Sequence, residues 1–234
     1  MNRRAILLFV VLFTIPVLSI SATNLAEEEN YIEKDSLTRD GFTLIFINKD
    51  SDFSDAISEK LKETFFEVYP ELVNRFNQEA APKVVFVIEP KYEGVAATSG
   101  GRVVFSPAWY EKNPDDIDVV THEVMHIVQD YGRTNGPWWL TEGIADYVRY
   151  RYGVGNEVAG WKLPDVNPDQ NYTNSYRITA RFLAWLEEKK DEKIVDKLDK
   201  VMREHKYRDE VWVELTGKSV DELWKEYITN PVLL

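Results

Sequence analysis

The chain has 234 residues, 44% of them hydrophobic and 13% aromatic, which is enough to bury a substantial core in one domain without demanding a second. Its 40 Asp and Glu against 28 Lys and Arg give a net charge of −12, a surface field that repels phosphate backbones and argues against nucleic acid as a partner. The absence of cysteine excludes a disulfide framework, thiolate metal ligands and a thiol nucleophile, so any metal site must be built from histidines and carboxylates.

Residues 1–21 read as a signal peptide. Arg3 and Arg4 form a basic start, an apolar run over 5–20 is broken only by Thr14, Pro16 and Ser19, and small residues at Ser19 and Ser21 offer a cleavage point before Ala22. This predicts export to the extracellular space or periplasm, with no stable membrane anchor after cleavage. Residues 22–40 form a polar, acidic amino-terminal segment, and a single domain is expected over 41–234.

Residues 41–48 (GFTLIFIN) alternate as a strand, and 52–76 follow as an amphipathic helix with Ile57, Leu61, Phe65, Tyr69 and Leu72 on one side. Residues 82–88 (PKVVFVI) form a second strand, and a Gly-rich turn leads into a third over 102–106, an edge along which an extended peptide could pair. Helices are expected over 138–152, 175–189, 192–205, 210–215 and 220–229, the last opened by a capping box of Ser219 and Glu222. The class is α+β, a small, mostly antiparallel sheet with a helical bundle.

A further helix is expected from Asn113 as N-cap, with Pro114 at its first position, Asp115 and Asp116 at the positive end of its dipole, and Gly132 as its terminator. Ile117, Val120, Val124, Val128 and Tyr131 then share one face, with His122 and His126 nearly opposite. In His122-Glu123-Val124-Met125-His126, spacing of i and i+4 stacks two imidazoles one turn apart. Both can reach one Zn2+, and Glu123 projects beside the metal, where a bound water would lie. The chain has three histidines; the third, His205, stands in a charged stretch and reads as a surface residue.

The next helix carries Glu142 and Asp146, again four apart and so on one face, with Gly143 and Ala145 small enough to admit a neighbouring helix. One carboxylate can ligate while the other accepts the second N–H of a ligating imidazole, a task for which Asp146 is placed. Trp138 and Trp139, at the entry of this helix, read as packing anchors, and Asn171-Tyr172-Thr173 matches a glycosylation sequon.

THEVMHIVQDYG and WWLTEGIADYVRY, with GVAATSGGRVVFS upstream and SYRITARFLAWLEE and LTGKSVDELWKEY downstream, resemble the plant basic secretory protein family and its microbial relatives over about 82–227. That family is similar to the gluzincins, the thermolysin-like zinc metallopeptidases whose third metal ligand is a Glu on a later helix. The resemblance implies a thermolysin-like core, metal ligands His122, His126 and Glu142, Glu123 as the catalytic base, and Asp146 as the carboxylate behind His122. It also implies Tyr176, with Arg177 second, as the donor to a developing oxyanion, and a peptide or protein substrate hydrolysed by zinc-bound water that Glu123 activates. The acidic balance departs from the family's name and puts anionic partners in doubt. Two other readings are a secreted zinc-containing binding or defence protein without turnover, and a hydrolase of non-peptide amides or esters.

Overall fold

The computed structural model describes residues 31–233, so the expected signal peptide over 1–21 lies outside the described residues. Five strands form one sheet in the order β1-β2-β3-β5-β4: β1 (Glu33–Arg39), β2 (Phe42–Asn48), β3 (Lys83–Ile88), β4 (Ala96–Ser99) and β5 (Arg102–Phe105). The outer pairs, β1 with β2 and β4 with β5, are antiparallel, and the inner pairs, β2 with β3 and β3 with β5, are parallel. The α+β class holds, but the sheet is mixed rather than mostly antiparallel. The reason is connectivity, since the long helix α1 (Asp55–Phe76) carries the chain back from the end of β2 to the start of β3.

Two strands fall where the sequence pattern shows none. β1 lies in the polar stretch before residue 41, its side chains mostly exposed, and is held by main-chain pairing with β2 through an Asp40-Gly41 turn at φ 48° and 87°. Positive φ at both central residues is what a tight two-residue hairpin requires. A charged edge strand of this kind also resists pairing with other chains. β4 comes from the Gly-rich segment, where Gly100 and Gly101, at φ 54° and 76°, turn the chain into β5. β5 is therefore an interior strand, and the free edge expected at 102–106 belongs to β4.

Helix α1 turns Leu61, Phe65, Tyr69 and Leu72, all 0% exposed, onto the sheet. Phe65, Phe86 and Phe105 meet there in edge-on ring pairs at 5.5 and 5.0 Å. The helices after β5 are α2 (Pro107–Lys112), α3 (Val119–Gln129), α4 (Trp138–Tyr152), α5 (Tyr176–Lys189), α6 (Ile194–Arg203), α7 (Glu210–Thr216) and α8 (Val220–Thr229). Phe182, Trp185, Trp212, Trp224 and Tyr227 make a second aromatic cluster among the last of these.

The start of α3 differs from expectation. A short helix forms first, after Ser106 with Pro107 at its first turn, and Asn113 ends that helix instead of opening the next. Of the two acidic residues that looked like first-turn charges, Asp115 pairs with Lys60 of α1 at 3.2 Å and Asp116 turns to other partners. Asp116 accepts from the Trp109 indole at 2.9 Å and from the Arg149 guanidinium. Asp118, fully buried, accepts from the backbone N–H groups of Val154 and Gly155 at 2.9 and 2.6 Å. At the other end Asp130, left-handed at φ 42° and ψ 41°, stops α3 ahead of Gly132.

Candidate metal centre

Helix α3 is buried along nearly its whole length, with Val120, Val124 and Val128 at 0% exposure on the core side. Its opposite face meets α4, where Gly143 allows the close packing of the following helix: a Cβ there would stand 2.3 Å from Thr179 Cγ2 of α5. The two helices bring together His122, His126 and Glu142, the one group of three or more potential ligand residues that converges among the described residues.

The three donor atoms form a nearly regular triangle. His122 Nε2 and His126 Nε2 are 3.2 Å apart, and Glu142 Oε2 lies 3.3 Å from the first and 3.5 Å from the second. Ligands at zinc distances of ~2.0–2.1 Å on a tetrahedron are separated by about 3.3 Å, so the donors already span one face of such a polyhedron. The donor types, two imidazoles and a carboxylate, also suit zinc, and the residues present fit the metal that the sequence implies.

Each imidazole is held from behind. His122 Nδ1 lies 2.7 Å from Asp146 Oδ1, as expected from the i, i+4 placement of the two carboxylates. His126 Nδ1 lies 2.7 Å from Gln129 Oε1, and Gln129 donates in turn to the Thr141 carbonyl at 2.9 Å. A neutral imidazole that donates from Nδ1 presents a lone pair at Nε2, the form a metal needs. Gln129 was not singled out from the sequence, although its i+3 spacing from His126 on the same helix carries the signal.

Without metal, the charges of the cluster act strongly on one another. Burial opposes a charge on His122, but hydrogen bonds to Asp146 and Glu142 outweigh it and raise its pKa to about 10. Burial likewise opposes the Glu142 anion, and hydrogen bonds from the two histidines bring its pKa to about 2. A proton on His122 thus occupies the electrostatic place of a cation.

Residues 34–227 match the profile of a family described as peptidase of plants and bacteria. The chain belongs to that family. A comparison with curated proteins finds no match. Among solved structures, Legionella pneumophila aminopeptidase A in complex with aspartic acid is similar at a TM-score of 0.55 and 16% identity, over 82% of this chain and 27% of that one. A two-domain M1 zinc metallopeptidase variant bound to L-tryptophan is similar at a TM-score of 0.52 and 11% identity, over 86% of this chain and 52% of that one. The chain thus spans about a quarter and a half of these two lengths, and the likeness at such identity is one of fold.

In this family member the triad of donors lines an open cleft of about 1220 Å³ with Glu123, Asp146, Thr98 of β4 and Tyr176. Glu123 is 7% exposed. Tyr176 lays its ring nearly parallel to that of His122, with centroids 6.1 Å apart, at the start of α5. Ser175 and Tyr176 both have positive φ, 69° and 49°, a costly conformation for non-glycine residues that is typical of sites where the fold fixes a side chain. Burial and then the carboxylates Glu142, Asp146 and Glu123 push the Tyr176 pKa up, which keeps its hydroxyl a donor. Arg177 lines the same cleft and donates to the Lys162 carbonyl at 3.4 Å. Trp139 packs against Tyr172 and Trp212 as an anchor, whereas Trp138 is 60% exposed and meets the Tyr176 ring edge-on at 5.4 Å. His205 is exposed, outside the cleft.

Proposed function

We propose that this chain is a secreted, zinc-dependent peptidase of the gluzincin type, with His122, His126 and Glu142 as the metal ligands and Glu123 as the general base. The observation that carries the reading is the donor triangle of 3.2, 3.3 and 3.5 Å on two helices, with a buried carboxylate one residue from the first ligand and an open cleft in front. Zinc in such a site supplies Lewis acidity, which makes water far more acidic than in bulk and draws charge from a substrate carbonyl. Glu123 takes the proton of the attacking water into its carboxylate and passes it to the leaving nitrogen. Asp146 and Gln129 keep the two imidazoles in the tautomer and orientation that ligation needs. The Tyr176 hydroxyl is our candidate donor to the oxygen that gains charge as the carbonyl is attacked.

Export is part of the proposal and rests on Arg3, Arg4 and the apolar run over 5–20. Amino-terminal sequencing of the protein from its native host tests it, with a start near Ala22 expected. Cleavage of a mixed peptide library, read by mass spectrometry with and without chelator, tests the activity. Products that vanish with chelator and return with zinc are expected. Tight zinc binding with no product would instead support a binding protein, and turnover of amide or ester probes alone would support a non-peptide hydrolase.

A further inference from the structure

The Glu123 carboxylate is not free in the cleft. Thr98 Oγ1, on the edge strand β4, lies 2.6 Å from Glu123 Oε2 and 3.0 Å from the Glu123 main-chain carbonyl oxygen. The hydroxyl has one proton for two acceptors. The shorter contact is to the charged one and falls in the ~2.5–2.7 Å range of O–H···O⁻ bonds, so the proton goes to Oε2 and the carbonyl contact stays secondary.

Building on the peptidase reading, we propose that Thr98 is the positioning residue for the base: its hydroxyl fixes Oε2 and leaves Oε1 as the oxygen that takes the proton. A glutamate has three rotatable side-chain bonds, and the helical backbone of α3 restricts only the first, leaving the outer two free to turn the carboxylate. The anchor comes instead from β4, whose Thr98 is set in register opposite Val103 of β5 by the antiparallel ladder. Ala96 and Ala97 of the same short strand line the cleft. The hydroxyl thereby ties the base to the cleft wall, and a carboxylate displaced by about 1 Å can lose on the order of 10²-fold in rate. Thr98 acts through Glu123 and takes no part in the proton transfer itself.

Thr98→Val removes the hydroxyl at nearly constant shape, and Thr98→Ser keeps it. The expected result is a fall in kcat of roughly 10- to 100-fold in Thr98→Val, with KM within about twofold of wild type and full zinc content, and recovery to within a few-fold in Thr98→Ser. In crystals of zinc-loaded Thr98→Val, the Glu123 carboxylate should leave its present position or divide among rotamers, while in Thr98→Ser it should stay. Wild-type kcat in Thr98→Val, equal losses in both variants, a change confined to KM, or an undisplaced Glu123 would each overturn the assignment. A zinc-loaded wild type that cleaves no peptide would remove the peptidase reading, and the order of Glu123 in the two crystal structures would still decide the role of Thr98.

Discussion

Asp146 Oδ1 lies 2.7 Å from His122 Nδ1, while Glu142, one turn earlier on the same helix, places its Oε2 3.3 Å from the other nitrogen of that ring. One imidazole is therefore flanked by two carboxylates that differ in reach, and the proposed site gives them different roles. Glu142→Ala removes one of three donors and should abolish stable zinc binding. Asp146→Asn keeps all three but loses the charged acceptor behind His122, and should weaken zinc by roughly 10- to 100-fold. Metal-competition titration decides the order; tight zinc in Glu142→Ala with none in Asp146→Asn would reverse the roles.

The proton held by the metal-free cluster gives a second prediction. Since His122 has a pKa of about 10 against an ordinary 6.5, it is protonated at neutral pH and must lose that proton when a metal takes its Nε2. Calorimetry in buffers of different ionisation enthalpy should show at least about one proton released per zinc near pH 7.5, with the His122 share declining as pH rises through about 10. The same shift sets the stability of the metal-free protein. A histidine whose folded pKa is raised contributes fully below 6.5 and loses that contribution as pH rises through about 10, so the metal-free melting temperature should fall across this window. Zinc uptake without proton release at pH 7.5 would mean a neutral His122.

Most of the candidate site was legible because helical spacing carries it. The i, i+4 pairs His122/His126 and Glu142/Asp146 need only a helix to share a face, and both helices form around them. Gln129 obeys the same rule but is hard to single out, since a glutamine next to an Asp and a Tyr looks like a solvated helix end. Thr98 was not legible at all: it reaches Glu123 of α3 from an edge strand of the sheet, 25 residues away. The missed strands have the same cause. Nothing in the polar β1 or the four-residue β4 alternates strongly, and their neighbours β2 and β5 supply the pairing. The Asn113-Pro114-Asp115-Asp116 run carries sound capping chemistry, but two earlier residues, Ser106 and Pro107, open a helix of their own and leave Asn113 at its end.

The packing beneath the carboxylates rests on Gly143. An added Cβ would stand 2.3 and 2.6 Å from Cγ2 and Cβ of Thr179, a fully buried, β-branched side chain that cannot swing aside. Gly143→Ala should destabilise the protein by about 1–3 kcal/mol despite alanine's better helix propensity, and should weaken zinc by moving Glu142. Denaturant unfolding of the metal-free variant checks this, and unchanged stability would show that α5 yields at that point.

In the proposed site the ligand cluster and Glu123 do separate jobs, the first holding zinc and the second moving a proton. Glu123 lies between the two histidines, is 7% exposed, and keeps its carboxylate on Thr98. Glu123→Gln preserves its shape and removes its basicity. The most direct measurement is peptide cleavage by zinc-loaded wild type and Glu123→Gln at matched metal content. One zinc in each protein and a loss of at least ~10²-fold in cleavage in the variant are expected. Cleavage at the wild-type rate by zinc-loaded Glu123→Gln would contradict it.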